Sequence, residues 1–339
     1  MHIPLCVVGE VNIMKIAIVG AGINGSYLGY KLADKGEVTV FERKAQLGGK
    51  PCSGLISKRV WDHIDKPEAG QHDQLVKHII TEARIHFPKK TVTLKFKQNM
   101  LVFDRQKLDE YVGKLAEQKG VKFRFNIDVN SVANHGGKPI VNGLVFDKLI
   151  GCDGANSIVK DKLGVSASKF RLGVYCYTRD GGKDQWVDTW PLKDGFSWKI
   201  PRGDCVEWGV VAPVGDAKKE FEKLIKREHL QYDKVYSHII PEGLCFPIAN
   251  NKVARNITLC GDAAGLTKPW SGGGVIWGMI AGDMLVRNLR DFRKYERAVK
   301  KQFNNRITLN LIGRNIISNP FVNYFIPKHI GFDGDIGLL

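Results

Sequence analysis

Three glycines and a carboxylate near the start of the chain have the spacing of a site for a dinucleotide. Gly20, Gly22 and Gly25 fit the pattern G-x-G-x-x-G. In this pattern the first glycine permits a tight turn, the second lets the backbone approach a pyrophosphate, and the third lets a helix pack against a strand. Glu42, followed by Arg43, comes 22 residues after Gly20, where a carboxylate accepts the hydroxyls of a ribose. The chemistry predicted here is the binding of a dinucleotide diphosphate.

The residues around these glycines predict the elements that position them. The apolar run 16–19 is typical of a buried parallel strand, and residues 38–42 form the next strand. Residues 27–36 continue from the turn as a helix, whose positive N-terminal end lies under the phosphates. Because both strands, the helix and the acid occur in order, the pattern is more specific than a lone glycine fingerprint.

Composition places the chain among ordinary globular proteins of one large or two coupled domains, with 339 residues, 43% hydrophobic and 25% charged. Its seven cysteines form no C-x-x-C pair and its nine histidines no H-x-x-x-H, so we expect neither a disulfide framework nor a metal site. No run of 18 apolar residues occurs, and residues 1–13 lack the basic start of a signal peptide. We therefore expect a protein of the reducing cytoplasm, with a peripheral position on the inner face of the cell membrane left open.

The net charge of +16 admits more than one interpretation. A lysine-rich surface can simply be solvated. Alternatively, the charge attracts anionic lipid headgroups or an acidic electron-carrier protein. Nucleic acid is not expected as a partner, because the basic residues are dispersed and no recognition motif for DNA or RNA occurs.

Three further segments carry polar residues next to predicted strands: Asp104-Arg105, Asp153-Gly154 and Gly261-Asp262, the last followed by Gly272, Gly273 and Gly274. Each alone is typical of a turn. In this order, after the glycine fingerprint, they resemble the flavoprotein superfamily of aromatic hydroxylases of the p-hydroxybenzoate hydroxylase type. The resemblance implies FAD as the cofactor, with Arg105 near the adenine and pyrophosphate and Asp262 facing the ribityl chain. It also implies that the amides of 272–274 cap the isoalloxazine at a helix N-terminus.

Two segments point to one family within this superfamily. Lys50-Pro51-Cys52-Ser53-Gly54 follows the ribose-binding strand, and Phe196-x-Trp198-x-Ile200-Pro201-Arg202-Gly203 occurs later. This is similar to the geranylgeranyl reductase family, which pairs a Cys-Gly segment with Tyr-x-Trp-x-Phe-Pro-Lys-Gly. Phe196, Ile200 and Arg202 depart from that pattern, and the chain is short for the family. Residues 195–201 also resemble a Gly-Trp-x-Trp-x-Ile-Pro stretch of flavin-dependent halogenases, whose flavin-capping segment lacks the triple-glycine form.

The resemblance to the reductases implies an enzyme that saturates isolated double bonds of geranylgeranyl chains, on archaeal-type ether phospholipids. It implies a catalytic Cys52, cofactor contacts from Cys52, Ser53, Gly54 and Asp153, and substrate contacts from Phe196, Trp198, Pro201 and Trp270. A free cysteine is also often a small buried hydrophobe. The electron donor would dock transiently, as a nicotinamide, a reduced deazaflavin or a ferredoxin. Two alternatives stay open: an FAD-dependent monooxygenase and a non-catalytic, membrane-associated flavoprotein.

The order of segments predicts an α/β fold with a Rossmann-like FAD-binding domain, an antiparallel-sheet substrate domain and C-terminal helices. We expect the FAD domain to be discontinuous, over 14–76, 98–165 and 249–294. Residues 77–97 and 166–248 would form the sheet, with four tryptophans between 186 and 208 in its core or along a lipid tunnel. Residues 295–339 would form helices, and the apolar stretch 307–332 would pack on the body, close the substrate channel or lie at a membrane interface.

Overall fold

The computed structural model describes residues 13–165, 169–179, 181–249, 255–317 and 325–333. Within these ranges the chain forms three sheets and seven α-helices. The helices are α1 (Ile23–Leu32), α2 (Ala69–Leu75), α3 (Arg105–Gln118), α4 (Ile158–Lys162), α5 (Ala217–Arg227), α6 (Val275–Arg287) and α7 (Phe292–Ile317). The strands are β1 (Lys15–Val19), β2 (Glu37–Phe41), β3 (Leu55–Ser57), β4 (Val76–Phe87), β5 (Lys90–Phe103), β6 (Lys122–Arg124), β7 (Val132–His135), β8 (Lys138–Val141), β9 (Leu144–Val145), β10 (Lys148–Gly151), β11 (Lys169–Thr178), β12 (Trp186–Leu192), β13 (Gly195–Pro201), β14 (Val206–Pro213), β15 (Val235–Glu242), β16 (Ile257–Leu259) and β17 (His329–Phe332).

The first sheet is fully parallel, with strand order β16-β10-β1-β2-β6. Its central strand β1 is apolar and buried, and Ile18 pairs with Val40 on one side and Ile150 on the other. Because all five strands run the same way, their carboxyl ends meet at one edge. The fingerprint glycines, Glu42, Cys152 and Gly261 each follow one of these ends, so the topology brings together motifs that are far apart in sequence.

The second sheet, called here the large sheet, has the order β15-β11-β14-β13-β12-β4-β5-β17, and β3 also pairs with β5. Its neighbours are antiparallel except for β4 with β12 and β5 with β17. One face carries α5, whose Phe221 and Leu224 pack on Val210. The opposite face is lined by apolar side chains and faces the site. A small antiparallel sheet, β7-β8-β9, completes the described strands.

The elements agree with the sequence in type but differ in detail. The range 166–248, expected to contribute to the sheet, contains the strands β11 to β15, and α5 lies between β14 and β15. The expected domain boundaries near 165 and 248 border residues 166–168 and 250–254, which lie outside the described residues. The division into domains therefore stays a prediction.

The prediction that residues 295–339 form helices is wrong near the end of this range. After α7, His329–Phe332 forms β17, which pairs in parallel with β5. The exposed edge of β5 offers unpaired backbone groups there, and an extended segment satisfies them. Ile326 and Ile330 also pack on Phe87, so this part of the chain packs on the body of the protein. Among the described helices, none is long and apolar enough to cross a bilayer.

Candidate functional site

The three fingerprint glycines occupy positions with different steric requirements. Gly20 has φ +96°, and a Cβ there would lie 2.6 Å from the Cys152 carbonyl oxygen. A Cβ on Gly25 would lie 1.9 Å from the Gly20 carbonyl oxygen, so only glycine lets α1 approach the turn this closely. By contrast, a Cβ on Gly22 would meet no atom within 4 Å. The turn thus leaves open space above Gly22 at the N-terminus of α1, where a diphosphate fits.

Glu42 lies beside this turn. Its Oε2 accepts a hydrogen bond from the Ala21 amide at 2.8 Å, and its Oε1 accepts one from the Lys44 amide at 3.0 Å. The carboxylate is therefore fixed between the ends of β1 and β2. Its neighbour Arg43 is exposed.

Asp153, which follows β10, uses one of its carboxylate oxygens for hydrogen bonds within the protein. Its Oδ2 accepts hydrogen bonds from the amides of Ile158 and Val159, at 2.8 and 3.4 Å, and so caps the short helix α4. Burial raises the pKa of this carboxyl. Its other oxygen, Oδ1, is buried and makes no hydrogen bond within the described part of the chain.

Asp262 forms an ion pair with Lys50, at 2.6 Å between Nζ and Oδ2. Burial opposes its ionisation, but the Lys50 ammonium holds the pKa of the carboxyl below its ordinary value. A Cβ on Gly274 would lie 3.2 Å from Asp262 Oδ1, so the carboxylate is next to the glycine turn that begins α6. The structure therefore joins the Lys50–Gly54 segment, Asp262 and the triple glycine in one place.

The Cys52 segment is held from two sides by arginines. Arg105 is buried, forms an ion pair with Asp109 at 2.9 Å, and lies close enough to Cys52 for the two side chains to interact electrostatically. Arg202 donates from Nη1 to the Ser53 carbonyl and from Nη2 to the Phe103 carbonyl at 3.0 Å. Cys52 itself is half-buried, so its thiol lies beside a guanidinium and remains accessible.

Arg202 belongs to a buried polar network around Glu207, which is fully buried. The carboxylate lies 3.3 Å from Arg202 Nη1 and accepts a hydrogen bond from Trp198 Nε1 at 2.9 Å. Burial raises the pKa of Glu207, and Arg202 opposes that effect. The Trp-x-x-x-Arg part of the sequence motif thus converges on one acid, and through Arg202 it fixes the backbone next to Cys52.

A cavity of about 400 Å³ connects this segment with the apolar face of the large sheet. Twelve of the predicted site residues line it: Gly22, Cys52, Ser53, Arg105, Phe196, Trp198, Gly261, Asp262, Trp270, Gly272, Gly273 and Gly274. Seven do not: Gly20, Gly25, Glu42, Arg43, Gly54, Asp153 and Pro201. Pro201 is off the lining because alternate residues of β13 face opposite sides, and Phe196, Trp198 and Ile200 face the cavity.

Most of the cavity wall that the large sheet contributes is apolar. It is formed by Ile56, Ala83, Ile85, Phe87, Val92, Leu94, Phe96, Met100, Val187, Ile200, Val211, Ile240, Ile326 and Ile330. These residues come from eight strands, including β17, and from the segment before β17. The cavity therefore has one polar end, at Cys52 and Asp262, and a long hydrophobic extension toward the C-terminal strand.

A profile described as FAD binding domain matches residues 13–231. The chain belongs to this FAD-binding family. Its cofactor is FAD, and the open space at Gly22 and the carboxylate of Glu42 suit the cofactor's diphosphate and ribose. The expected capping of the ring by the amides of 272–274 is not matched at two positions, because the Gly272 amide donates to the Lys268 carbonyl at 2.8 Å and the Gly273 amide to Ser271 Oγ at 3.4 Å. The family is one of FAD-dependent oxidoreductases.

Two curated relatives of this FAD-binding protein align with most of its chain. The geranylgeranyl diphosphate reductase of Rhodobacter capsulatus is 27% identical over 295 residues, covering 78% of this chain and 72% of the relative. The digeranylgeranylglycerophospholipid reductase of Methanococcus vannielii is 25% identical over 334 residues, covering 86% and 81%. The resemblance to the geranylgeranyl reductase family is thus present along most of the chain.

Solved structures share the fold. A geranylgeranyl bacteriochlorophyll reductase-like protein from Thermoplasma acidophilum has a TM-score of 0.78 at 16% identity, covering 92% of this chain and 89% of that one. The halogenase PltM has a TM-score of 0.69 at 16% identity, covering 91% and 78%. At these identities the likeness shows the fold alone, and reductases and halogenases both have it.

Two residues of the cavity could not be predicted from the sequence, because they belong to none of its motifs. His238 on β15 lies near Lys50, Asp262 and Arg105, and its Nε2 is buried without a hydrogen-bond partner among the described residues. Burial and the Lys50 ammonium lower its pKa to about 4, so it is neutral at pH 7. Tyr175 on β11 is buried against the Cys52 segment, and burial raises the pKa of its hydroxyl. Both residues reach the site only through the pairing of β11 with β15.

Proposed function

We propose that this protein is an FAD-dependent reductase that saturates isolated C=C bonds of geranylgeranyl chains, on archaeal-type ether phospholipids. The observation that carries the proposal is the shape and chemistry of the cavity. It begins at the FAD-binding residues and Cys52 and continues along an apolar wall to Ile326 and Ile330. A flexible isoprenoid chain is the ligand class that such a wall accommodates, whereas a compact polar substrate would leave most of it unused.

Isolated trisubstituted double bonds have no carbonyl group to polarise them, so the reaction needs a positioned bond and a proton. When bound, reduced FAD supplies a hydride to one alkene carbon and ends oxidised, while a proton adds to the other carbon. Side chains such as Trp198, Phe196 and Val211 would hold the bond in register, which lowers the barrier by several kcal/mol. The apolar wall also excludes water from the reacting carbons.

Cys52 is the proposed source of the proton. Cys52 lines the cavity and lies near the Arg105 guanidinium. After proton transfer a thiolate remains, and the adjacent guanidinium stabilises this charge. Arg202 would position the segment by holding the Ser53 carbonyl. Solvent returns the proton to Cys52 between turnovers.

The electron donor of the proposed reaction would be a nicotinamide, a reduced deazaflavin or a ferredoxin. A second cavity, of about 440 Å³, also borders the Cys52 segment, and its lining includes Lys77, Tyr177 and Arg202. This cavity shares Lys50, Cys52 and Arg105 with the apolar one, so a donor bound there would lie beside the Cys52 segment. Its cations suit an anionic donor.

Contact with an anionic membrane is also part of the proposal, since the substrate would reside there. Leu309 and Ile312, on one face of α7, are 55% and 49% exposed, and Phe325 is 81% exposed. Along the chain, Leu309 and Ile312 are within two residues of Asn310, and Phe325 precedes Ile326; both Asn310 and Ile326 line the cavity. Exposed apolar side chains around a lipid cavity, on a chain of net charge +16, suit peripheral binding to anionic lipid.

The test is an activity assay with dithionite as the reductant, under nitrogen and then under air. The expected product from a geranylgeranyl phospholipid gains two hydrogens per bond without oxygen, and Cys52→Ala lowers the rate at least ~100-fold, as expected for loss of a general acid. Cys52→Ser, which keeps a proton donor, would retain part of the rate. An oxygenated product formed only in air would support the monooxygenase alternative. A protein that binds FAD and converts no lipid under either gas would be the non-catalytic flavoprotein.

A further inference from the structure

Two cysteines follow the ends of adjacent strands in the parallel sheet. Cys152 comes directly after β10 and Cys260 directly after β16, and the last register partners of these strands are Gly151 and Leu259. The Cys260 amide donates to the Gly151 carbonyl at 2.9 Å, so the parallel pairing continues through the two cysteines. Cys152 and Cys260 are therefore in register, on neighbouring strands whose usual spacing is about 4.8 Å.

Both side chains lie on the same face of this sheet, beneath the helices α1 and α6. A Cβ on Gly25 of α1 would lie 3.3 Å from the Cβ of Cys152. The Cys260 thiol donates from Sγ to the Gly278 carbonyl of α6 at 3.6 Å. Because α1 and α6 pack against each other, the two thiols lie side by side under the helix pair.

This arrangement suits a disulfide bond. The Cα atoms of bridged cysteines are usually about 4.4–6.8 Å apart, a range that includes the spacing of register partners on parallel strands. Both cysteines are free thiols. Their interaction lowers the pKa of Cys260, and together with burial it raises the pKa of Cys152. Cys260 is thus the sulfur of the pair that more readily becomes a thiolate.

The two sulfurs differ in their access to the cavity. Cys152 is half-buried and lines the cavity together with Gly22 and Gly261, whereas Cys260 is fully buried. A small neutral oxidant that enters the cavity therefore reaches Cys152 first. Hydrogen peroxide is such an oxidant, and molecular oxygen yields it when it reoxidises a reduced flavin. The pair thus consists of one thiol that peroxide can reach and one that is protected.

We propose that Cys152 and Cys260 form a reversible, peroxide-sensitive disulfide pair at the FAD-binding edge, with Cys152 as the thiol that is oxidised and Cys260 as the thiol that resolves it. Hydrogen peroxide transfers one oxygen atom to Cys152 Sγ, which gives a sulfenic acid and one molecule of water. The Cys260 thiolate then attacks this sulfur and expels hydroxide, which takes up a proton to form a second molecule of water. The two thiols lose two electrons in total, and one molecule of peroxide is reduced to two molecules of water.

The resolving thiol would preserve the FAD site. Without it, a second molecule of peroxide converts the sulfenic acid of Cys152 to a sulfinic acid, which thiols do not reduce. A sulfinic acid is ionised at neutral pH, and its charge would lie in the cavity that also contains Gly22, where the diphosphate of FAD belongs. Like charges at this distance repel each other, so FAD would bind more weakly. The disulfide is neutral and has no such effect. The inference rests on FAD binding and does not depend on the proposed reaction.

Peroxide treatment of the FAD-loaded protein, followed by mass spectrometry of its peptides, tests the proposal. The wild type should lose two hydrogen atoms and yield a pair of peptides linked through Cys152 and Cys260, which dithiothreitol separates. After dithiothreitol its Kd for FAD should lie within about 2-fold of the untreated value. In Cys260→Ala, Cys152 should instead gain two oxygen atoms, and FAD should bind roughly 10-fold more weakly, a change that dithiothreitol does not reverse.

Cys205→Ala is the matched control, because Cys205 is also a half-buried free thiol and lies outside the lining of this cavity. It should form the same disulfide as the wild type, whereas Cys152→Ala should leave Cys260 as a thiol. A wild type in which Cys152 stays a thiol, or becomes a sulfinic acid while Cys260 is unchanged, would overturn the proposal. An equal loss of FAD affinity in the wild type, Cys260→Ala and Cys152→Ala would also overturn it, since the damaging oxidation would then be elsewhere.

Discussion

The edge of the parallel sheet and the apolar face of the large sheet meet at the Cys52 segment, and they are built in different ways. At the edge, the site consists of backbone amides and of the open space above Gly22. Residues that are consecutive in sequence form both. On the large sheet, the cavity wall consists of side chains from eight strands and from the segment before β17. Backbone sites are therefore encoded locally, whereas the cavity depends on how distant strands pair.

The comparison predicts that single glycines decide cofactor binding, and this is the largest effect expected. Gly25→Val should give no FAD-loaded protein, because its Cβ would lie 1.9 Å from the Gly20 carbonyl oxygen. Gly22→Ala should fold, since its Cβ has free space, yet bind FAD roughly 10- to 100-fold more weakly because the methyl occupies the diphosphate position. Flavin absorbance after purification and titration of FAD fluorescence measure both effects.

Gly70→Ala is the control for Gly22→Ala, because a Cβ there also meets no atom within 4 Å and α2 is outside the cavity lining. If Gly70→Ala and Gly22→Ala bind FAD equally well, the diphosphate does not lie at the glycine turn.

Stability on the large-sheet side should depend on the Arg202–Glu207 pair. Arg202→Met leaves Glu207 buried and unpaired, which should lower the free energy of unfolding by about 3–5 kcal/mol. The double variant Arg202→Met, Glu207→Leu should recover most of this loss, because no unpaired charge remains. Urea denaturation of the three proteins measures the difference. A double variant as unstable as the single one would show that the pair is not what stabilises this region.

Filling the cavity should impair substrate binding without affecting FAD. Ala83→Phe adds a ring to the apolar wall and should raise the KM for a geranylgeranyl substrate roughly 10-fold, the equivalent of about 1.4 kcal/mol. Its matched control is Ala133→Phe, on the exposed part of β7. Steady-state kinetics on FAD-loaded protein measures the effect, and equal KM values for the two variants would contradict the assignment of the wall.

A further expected effect is a pH dependence of stability from His238. Burial and Lys50 lower its pKa to about 4 from 6.5, so between these values the unfolded chain binds a proton that the folded protein does not. The contribution to stability is therefore present above pH 6.5 and is lost as the pH falls, by up to about 1.4 kcal/mol per pH unit. Denaturation of the wild type and of His238→Asn at pH 7, 6 and 5 tests this, and parallel curves would refute it.

The difference between local backbone sites and a cavity formed by distant strands explains which site residues could be predicted from the sequence. The glycine turn, Glu42, Asp262 and the triple glycine could be recognised because each motif fits a local backbone geometry next to a strand. Phe196, Trp198 and Trp270 line the cavity as expected. Pro201 does not, because alternate residues of β13 face opposite sides of the sheet and Pro201 is on the side away from the cavity. The roles of the predicted residues toward FAD and substrate stay predictions.

The features missed by sequence reasoning all depend on long-range pairing. Glu207 lies in a strand whose alternation suggests a solvent-facing acid, and it is buried only because Arg202 and Trp198 reach it. His238 enters the site because β15 pairs with β11. The strand β17 was expected to be helical, and its pairing with β5 depends on an edge that the local sequence does not reveal.

The central claim is that FAD-binding residues and an isoprenoid cavity meet at Cys52 to reduce a double bond. The most direct measurement is anaerobic: the FAD-loaded protein is reduced with one equivalent of dithionite and mixed with a geranylgeranyl phospholipid. The account predicts that the flavin absorbance returns to its oxidised form and that the lipid gains two hydrogens per flavin reoxidised. A flavin that stays reduced until air is admitted, with the lipid unchanged in mass, would contradict it.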